Sequence, residues 1–84
     1  MPSEDIKKPA VLLYSTPTCP YCLMAKEFLR TNSVPYSDFD VSTDRGAYDE
    51  LLKKSGQSGV PIIDVGGTVI IGFDEKALRK ALGL

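Results

Sequence analysis

Two cysteines, Cys19 and Cys22, are separated by two residues in the segment Thr18-Cys19-Pro20-Tyr21-Cys22, and the chain contains no other cysteine. The segment follows an apolar run, residues 10–14, and precedes a stretch whose apolar residues repeat with helical spacing. A C-x-x-C pair where a strand passes into a helix is typical of a redox motif, because both thiols lie on the first turn and can close a small disulfide ring. The partial positive charge of the helix N-terminus favours the nucleophilic thiolate. The pair therefore predicts a thiol–disulfide exchanger.

A structural disulfide and a zinc site are the other common uses of cysteines. A disulfide between such close neighbours closes a small loop, which constrains the unfolded chain little. A structural zinc site takes about four cysteine or histidine ligands. This chain has 2 cysteines and no histidine, so only a site shared between two chains could form. Cys22 taken alone could also be a small buried apolar side chain.

The composition excludes several other classes of protein. The chain has 84 residues, a net charge of −1 and 43% hydrophobic residues, which fits one small globular domain rather than a disordered chain. Its interspersed charges form no basic stretch for nucleic acid or an anionic membrane. Residues 1–9 contain no apolar signal core, and no apolar run is long enough to span a bilayer. We expect a cytoplasmic monomer with a flexible leader, residues 1–9, and a single domain, residues 10–84.

The strands that must position the cysteines follow from apolar spacing. Residues 10–14 form a continuous apolar run, which predicts a buried central strand, whereas residues 35–41 alternate apolar and polar side chains, which predicts a strand nearer the sheet edge. Residues 60–65 and 68–71 are joined by Gly66-Gly67, which predicts a hairpin.

Three helices are predicted between and after these strands. The first is capped within residues 15–18 and begins at Pro20, where a missing N–H costs nothing. The second is capped by Ser42-Thr43-Asp44 and ends at Gly56, and the third is capped by Asp74. The order β-α-β-α-β-β-α predicts an α/β fold, a four-stranded mixed sheet with helices on both faces. Three charged residues of the first helix are expected to face solvent: Lys26, Glu27 and Arg30.

Three motifs in this order resemble the glutaredoxin family of the thioredoxin fold, and the resemblance extends over residues 10–84. The motifs are Thr18-Cys19-Pro20-Tyr21-Cys22, Gly59-Val60-Pro61 and Gly72-Phe73-Asp74-Glu75. The resemblance implies thiol–disulfide oxidoreductase activity. It also implies that Cys19 is the exposed nucleophile and that Cys22 is the deeper, resolving thiol.

The resemblance further implies a substrate groove beside the cysteines. Pro61 would be a cis-proline, and Val60 would offer its backbone N–H and C=O to a peptide or to glutathione, as an added strand does. Gly72, Phe73 and Asp74 would hold the γ-glutamyl end of glutathione, with its carboxylate at the helix N-terminus and its ammonium at Asp74. Simpler interpretations remain open: a trans strand-start proline, a packing phenylalanine and an aspartate that only caps the helix.

Thr16, Tyr21 and Gln57 complete the predicted groove. Many glutaredoxins have a lysine where this chain has Thr16, and many have a basic residue where it has Ser58-Gly59, so Gln57 is the remaining polar neighbour. Those cations would pair with the glycine carboxylate of glutathione, in charge-assisted contacts worth about 1.5–3 kcal/mol each.

The predicted partners are disulfide-bearing proteins, with glutathione or thioredoxin reductase as the reductant and glutathione as the expected co-substrate. No permanently bound cofactor is expected. The Gly72-Phe73 pair also occurs in the small hydrogen-donor redoxins that thioredoxin reductase reduces, so that branch is one alternative. The other is a dimer that carries a 2Fe–2S cluster on Cys19 of each chain together with two glutathiones.

Overall fold

The structure, a computed structural model, describes residues 10–84. The elements, in chain order, are β1 (Val11–Ser15), α1 (Pro20–Thr31), β2 (Ser37–Asp40), α2 (Arg45–Ser55), β3 (Ile62–Val65), β4 (Thr68–Ile71) and α3 (Glu75–Leu82). The predicted order β-α-β-α-β-β-α is confirmed. The predicted leader, residues 1–9, lies outside the described residues.

The four strands form one mixed sheet in the order β2-β1-β3-β4. β1 pairs parallel to β2 and antiparallel to β3, and β4 closes the hairpin antiparallel to β3. The predicted interior position of the first strand and edge position of the second are both confirmed. β2 is shorter than the predicted residues 35–41, because Pro35 has no N–H for the ladder and Asp40 turns the chain by accepting the Ser42 N–H at 2.9 Å.

The sheet is covered on both faces, as predicted, because successive side chains of each strand point to opposite sides. One face packs against α1 and α3 in a buried cluster of Val11, Leu13, Ala25, Phe28, Leu29, Ile63, Val65, Ile70 and Leu78. The other face packs against α2 in a smaller cluster of Tyr14, Ala47, Leu51 and Ile62. β1 therefore lies inside the sheet with apolar layers on both sides. The carboxyl end of β1 therefore has a fixed position, and the cysteine segment follows it directly.

Side-chain caps fix the ends of two helices as the sequence predicts. Asp44 Oδ1 accepts the Ala47 N–H at 3.1 Å at the start of α2, and Asp74 Oδ1 accepts the Ala77 N–H at 3.1 Å at the start of α3. Gly56 ends α2 with a φ of 72°, a left-handed conformation that favours glycine. No helix among residues 10–84 is long and apolar enough to cross a bilayer.

A buried ion pair joins the end of α2 to the centre of the sheet. Lys54 Nζ lies 2.8 Å from Asp64 Oδ2 and donates to the Tyr14 hydroxyl at 2.8 Å. Burial opposes the charge of Lys54, but the hydrogen bonds to Asp64 and Tyr14 outweigh it and raise the pKa of Lys54. The Lys54 ammonium is therefore bound to Asp64 and Tyr14 within the fold.

Candidate active site

Cys19 is itself the N-cap residue of α1. It has extended backbone angles, and its Sγ accepts the Cys22 backbone N–H at 3.3 Å. The prediction of a cap within residues 15–18 is therefore wrong by one residue, since the cysteine takes the position usually filled by serine, threonine or aspartate. Pro20 occupies the first helical position, as predicted. A free N–H at the positive end of the helix thus points at the sulfur and favours negative charge there.

The two thiols lie at different depths. Cys19 is partly exposed, whereas Cys22 has an exposed fraction of 0%. Burial, together with the hydrogen bond to Cys19, raises the pKa of the Cys22 thiol to about 12, against smaller lowering effects from the Thr16 backbone and Lys26. Cys22 is therefore protonated at neutral pH in the dithiol protein. The partly exposed Cys19 sulfur, which accepts a hydrogen bond, therefore lies outside the buried Cys22 thiol, which keeps its proton.

The opposite wall of the site is the segment that enters β3. Cys19 Sγ lies 3.9 Å from the Val60 carbonyl oxygen, a distance at which a thiol makes a weak hydrogen bond. The Val60–Pro61 peptide bond is cis, as the resemblance implies, and Pro61 is buried. The Pro61 carbonyl accepts the Gly72 N–H at 2.8 Å. One line of contacts therefore runs from the outer sulfur through Val60 and Pro61 to the loop before α3.

Phe73 and Asp74 follow in that loop, and both have structural contacts. The Phe73 ring meets the Phe28 ring edge-on, with centroids 5.9 Å apart, and Asp74 caps α3. Phe73 therefore packs against Phe28, and Asp74 caps the helix, as the simpler interpretations of these two residues predict. Binding of glutathione by Gly72, Phe73 or Asp74 stays a prediction.

The other three predicted groove residues lie in the segments around the sulfur. The Thr16 carbonyl accepts the Cys19 N–H at 3.4 Å, and the Thr16 backbone also reaches the Cys22 sulfur. Tyr21, on the first turn of α1, is 61% exposed. Gln57 is exposed in the loop before Val60, where its N–H donates to Ser55 Oγ at 3.3 Å. Thr16 thus contacts Cys19 through its backbone, and Tyr21 and Gln57 have exposed side chains. A binding role for these three residues stays a prediction.

Lys26 corrects the expectation that the charged residues of α1 face solvent. Its side chain is only 27% exposed, and its ammonium lies 2.9 Å from Asp38 Oδ2 on β2. The second oxygen of that carboxylate accepts the Ser15 hydroxyl at 2.8 Å. Helical spacing alone misses this contact, because Asp38 belongs to a distant strand. The spacing of four residues between Cys22 and Lys26 was the one indication in the sequence that Lys26 lies on the buried side of the helix.

Comparison with known proteins agrees with this geometry. The glutaredoxin family profile matches residues 11–70. An uncharacterised glutaredoxin-like protein from the rubredoxin operon of Clostridium pasteurianum is 38% identical over 72 residues, 86% of this chain and 96% of that protein. Glutaredoxin 3 of Escherichia coli K12 is 32% identical over 73 residues, 87% of this chain and 88% of that protein.

Among solved structures, the thioredoxin-like protein BC3987 superposes with a TM-score of 0.81 at 36% identity, over 86% of this chain and 99% of that chain. The family profile, the relatives and the fold agree with one another. The chain therefore belongs to the glutaredoxin family, whose members are thiol–disulfide oxidoreductases.

Proposed function

We propose that this protein reduces protein disulfides, glutathione mixed disulfides or both, with Cys19 as the attacking thiolate and Cys22 as the resolving thiol. The placement of the two sulfurs supports this assignment most directly. Cys19 is partly exposed and receives the Cys22 N–H at the start of α1, while Cys22 is fully buried directly behind it. An incoming disulfide can reach the first sulfur and not the second.

Exchange begins when the Cys19 thiolate attacks one sulfur of the substrate disulfide, whose other sulfur leaves as a thiolate and takes up a proton. The product of this step is a mixed disulfide between Cys19 and the substrate. Cys22 then loses its proton and attacks Cys19 Sγ, which expels the second substrate thiol and leaves the Cys19–Cys22 disulfide. We expect the backbone of Val60, whose carbonyl oxygen lies 3.9 Å from Cys19 Sγ, to pair with the substrate chain during both steps.

Glutathione would lie across the same groove, with its γ-glutamyl carboxylate at the start of α3 and its ammonium at Asp74. Its glycine carboxylate meets Thr16 and Ser58-Gly59 rather than cations. Lys54, which is close in sequence, is held by Asp64 and Tyr14. We therefore expect weaker glutathione binding than in relatives that carry those cations, which favours thioredoxin reductase as an alternative electron donor.

The two roles of Asp74 are separable by substitution. Asp74→Ser keeps a capping oxygen and removes the carboxylate, whereas Asp74→Ala removes both. Asp74→Ala is expected to lower the free energy of unfolding by about 0.5–2 kcal/mol, with little change for Asp74→Ser. If the carboxylate binds the ammonium of glutathione, both variants raise the KM for glutathione, by about tenfold for a lost charge-assisted contact. An unchanged KM in Asp74→Ser would leave the residue as a cap alone.

The reductant is tested by comparing two electron sources on one disulfide substrate, for example an insulin or mixed-disulfide assay at fixed protein concentration. Glutathione with glutathione reductase and NADPH forms one arm, and thioredoxin reductase with NADPH forms the other. Turnover in the first arm supports the glutathione-dependent function. Turnover only in the second supports the hydrogen-donor alternative, and failure in both contradicts the proposed exchange activity.

The cluster-carrier alternative fits these residues poorly. Such a dimer needs Cys19 and a firmly bound glutathione from each side, and the usual cationic contacts for glutathione are missing at residues 16 and 58–59. Visible absorption after anaerobic purification, together with a dimer on size exclusion, would support the cluster and count against dithiol exchange as the main activity. The cytoplasmic location, the monomeric state and the single-domain organisation of residues 10–84 stay predictions.

A further inference from the structure

Lys26 crosses from helix α1 to the sheet instead of extending into solvent. Its ammonium lies 2.9 Å from Asp38 Oδ2, and the Ser15 hydroxyl holds the other oxygen of that carboxylate at 2.8 Å. The side chains of Lys26 and Asp38 are 27% and 37% exposed. A pair exposed to this extent contributes little to stability.

The ion pair lies on the same side of α1 as the resolving thiol. Lys26 follows Cys22 by four residues, and that spacing puts both side chains on one face, one turn apart. Asp38 is in register with Leu13, whose side chain belongs to the buried cluster beneath α1. The ammonium is thus anchored between helix and sheet on the face of α1 that carries the buried sulfur, and it acts electrostatically on the thiol that must become negative during resolution.

We propose that Lys26, held by Asp38, is a positioning residue that stabilises the Cys22 thiolate as it attacks the mixed disulfide on Cys19. This proposal rests on the dithiol function proposed above. Cys22 gives its proton to water, and its sulfur then forms a bond with Cys19 Sγ. The bond between Cys19 and the substrate sulfur breaks, and the substrate leaves as a thiolate that takes up a proton. No external oxidant or reductant enters this step.

The charges around the two side chains agree with this role. The hydrogen bond to Asp38 raises the pKa of Lys26, so the group is an ammonium at neutral pH. In the dithiol protein, burial and the hydrogen bond to Cys19 raise the pKa of Cys22. Once Cys19 is bonded to the substrate, it carries no negative charge to repel a second thiolate. In that mixed disulfide, burial still raises the pKa of Cys22, and the Thr16 backbone and Lys26 still lower it.

Several other groups face this pair and enter any pH dependence. The titratable groups that act on Cys22 or Lys26 from α1 and from the β2 side are Cys19, Tyr36, Asp38 and Asp40. The hydrogen bond to Asp38 is the largest cause of the raised pKa of Lys26, so Lys26 stays protonated at neutral pH. Between about pH 6 and pH 9, Cys22 in the mixed disulfide is therefore the group expected to change charge during resolution.

The test follows the resolving step alone. Cys19 is loaded with a coloured aromatic thiol by exchange with its symmetric disulfide, and release of that thiol by Cys22 is followed by stopped flow across a pH series. Lys26→Met keeps the length and apolar stem of the side chain and removes the charge, whereas Lys26→Arg keeps the charge. Lys53→Met, on the exposed side of α2, is the matched control for loss of one lysine.

Lys26→Met is expected to slow release about two- to threefold at neutral pH and to move the pH midpoint upward. Loss of one opposite charge a helical turn away lowers the thiolate fraction by up to about tenfold, and the higher nucleophilicity of a more basic thiolate recovers about threefold of that. Lys26→Arg is expected to restore most of the rate, and Lys53→Met to match the parent protein. The alkylation rate of Cys19 is expected to stay within about twofold in all variants, because the first step uses the helix N-terminus.

The outcomes separate this proposal from the proposed function. Equal release rates and equal pH midpoints in Lys26→Met and the parent protein would overturn the role of Lys26 while leaving dithiol exchange intact. A Lys26→Arg variant as slow as Lys26→Met would also overturn it, because charge would not be the cause. A parent protein whose loaded Cys19 never releases the thiol would instead contradict the resolving role of Cys22 itself.

Discussion

The Cys19→Ser variant is expected to lose disulfide reduction down to the uncatalysed background rate. A serine hydroxyl is not ionised at neutral pH, and the nucleophile in thiol–disulfide exchange is the thiolate. The remaining thiol cannot substitute, because Cys22 is 0% exposed, and burial, the largest cause of its raised pKa, persists in the variant. Turnover of a disulfide substrate in both reductant systems measures the loss.

Cys22→Ser is the matched control for that loss. It keeps the exposed sulfur and the backbone N–H that points at it, so the first exchange step is expected to survive. The variant should accumulate a mixed disulfide that mass spectrometry detects, and any glutathione-dependent activity should persist, because glutathione can release the substrate in place of Cys22. Full activity in Cys19→Ser, or a loss of mixed-disulfide formation in Cys22→Ser, would contradict the assigned roles.

Truncation of Leu29 is expected to give a large loss of stability, because this side chain of α1 is fully buried. Leu29 is 0% exposed and belongs to the cluster between α1, the sheet and α3. Replacing a buried leucine with alanine costs about 2–5 kcal/mol, from lost burial and the cavity left behind. For a domain of this size, that corresponds to a fall in melting temperature of about 10–30 °C.

Leu23→Ala is the control on the same helix, because Leu23 is 56% exposed and its removal opens no cavity. Its expected effect lies within about 0.5 kcal/mol of zero. Urea unfolding of both variants in the reduced state, followed by far-ultraviolet circular dichroism, measures the difference. A Leu29→Ala variant as stable as Leu23→Ala would mean that α1 is not anchored through this side chain.

Local patterns predict most of the fold because each pattern has a local cause. The apolar run of residues 10–14 identifies the interior strand, Asp44 and Asp74 identify helix starts, and Gly56 identifies a helix end. The length of β2 is predicted less well, since its ends depend on a proline without an N–H and on a turn that local polarity does not reveal.

Within the site, spacing and the strand-to-helix junction predict the two sulfurs at the start of the first helix, and the resemblance to glutaredoxins implies their order of depth. Two features are not predicted, because one depends on backbone angles and the other on a contact between residues that are far apart in the sequence. Cys19 serves as the cap of α1 in place of its neighbours, and Lys26 binds Asp38 across the strand register. The first needs the backbone angles at one residue, and the second needs the pairing of β2 with β1.

The capping role of Cys19 couples the redox state of the protein to the stability of a helix. In the dithiol form, its sulfur satisfies a backbone N–H that otherwise lacks a partner at the first turn. A sulfur in a disulfide is uncharged and a poorer acceptor, so oxidation weakens that cap. A side-chain cap contributes about 0.5–2 kcal/mol, and for a two-electron couple that energy corresponds to about 10–40 mV. The capping hydrogen bond therefore makes the protein a weaker electron donor than it would be without that bond.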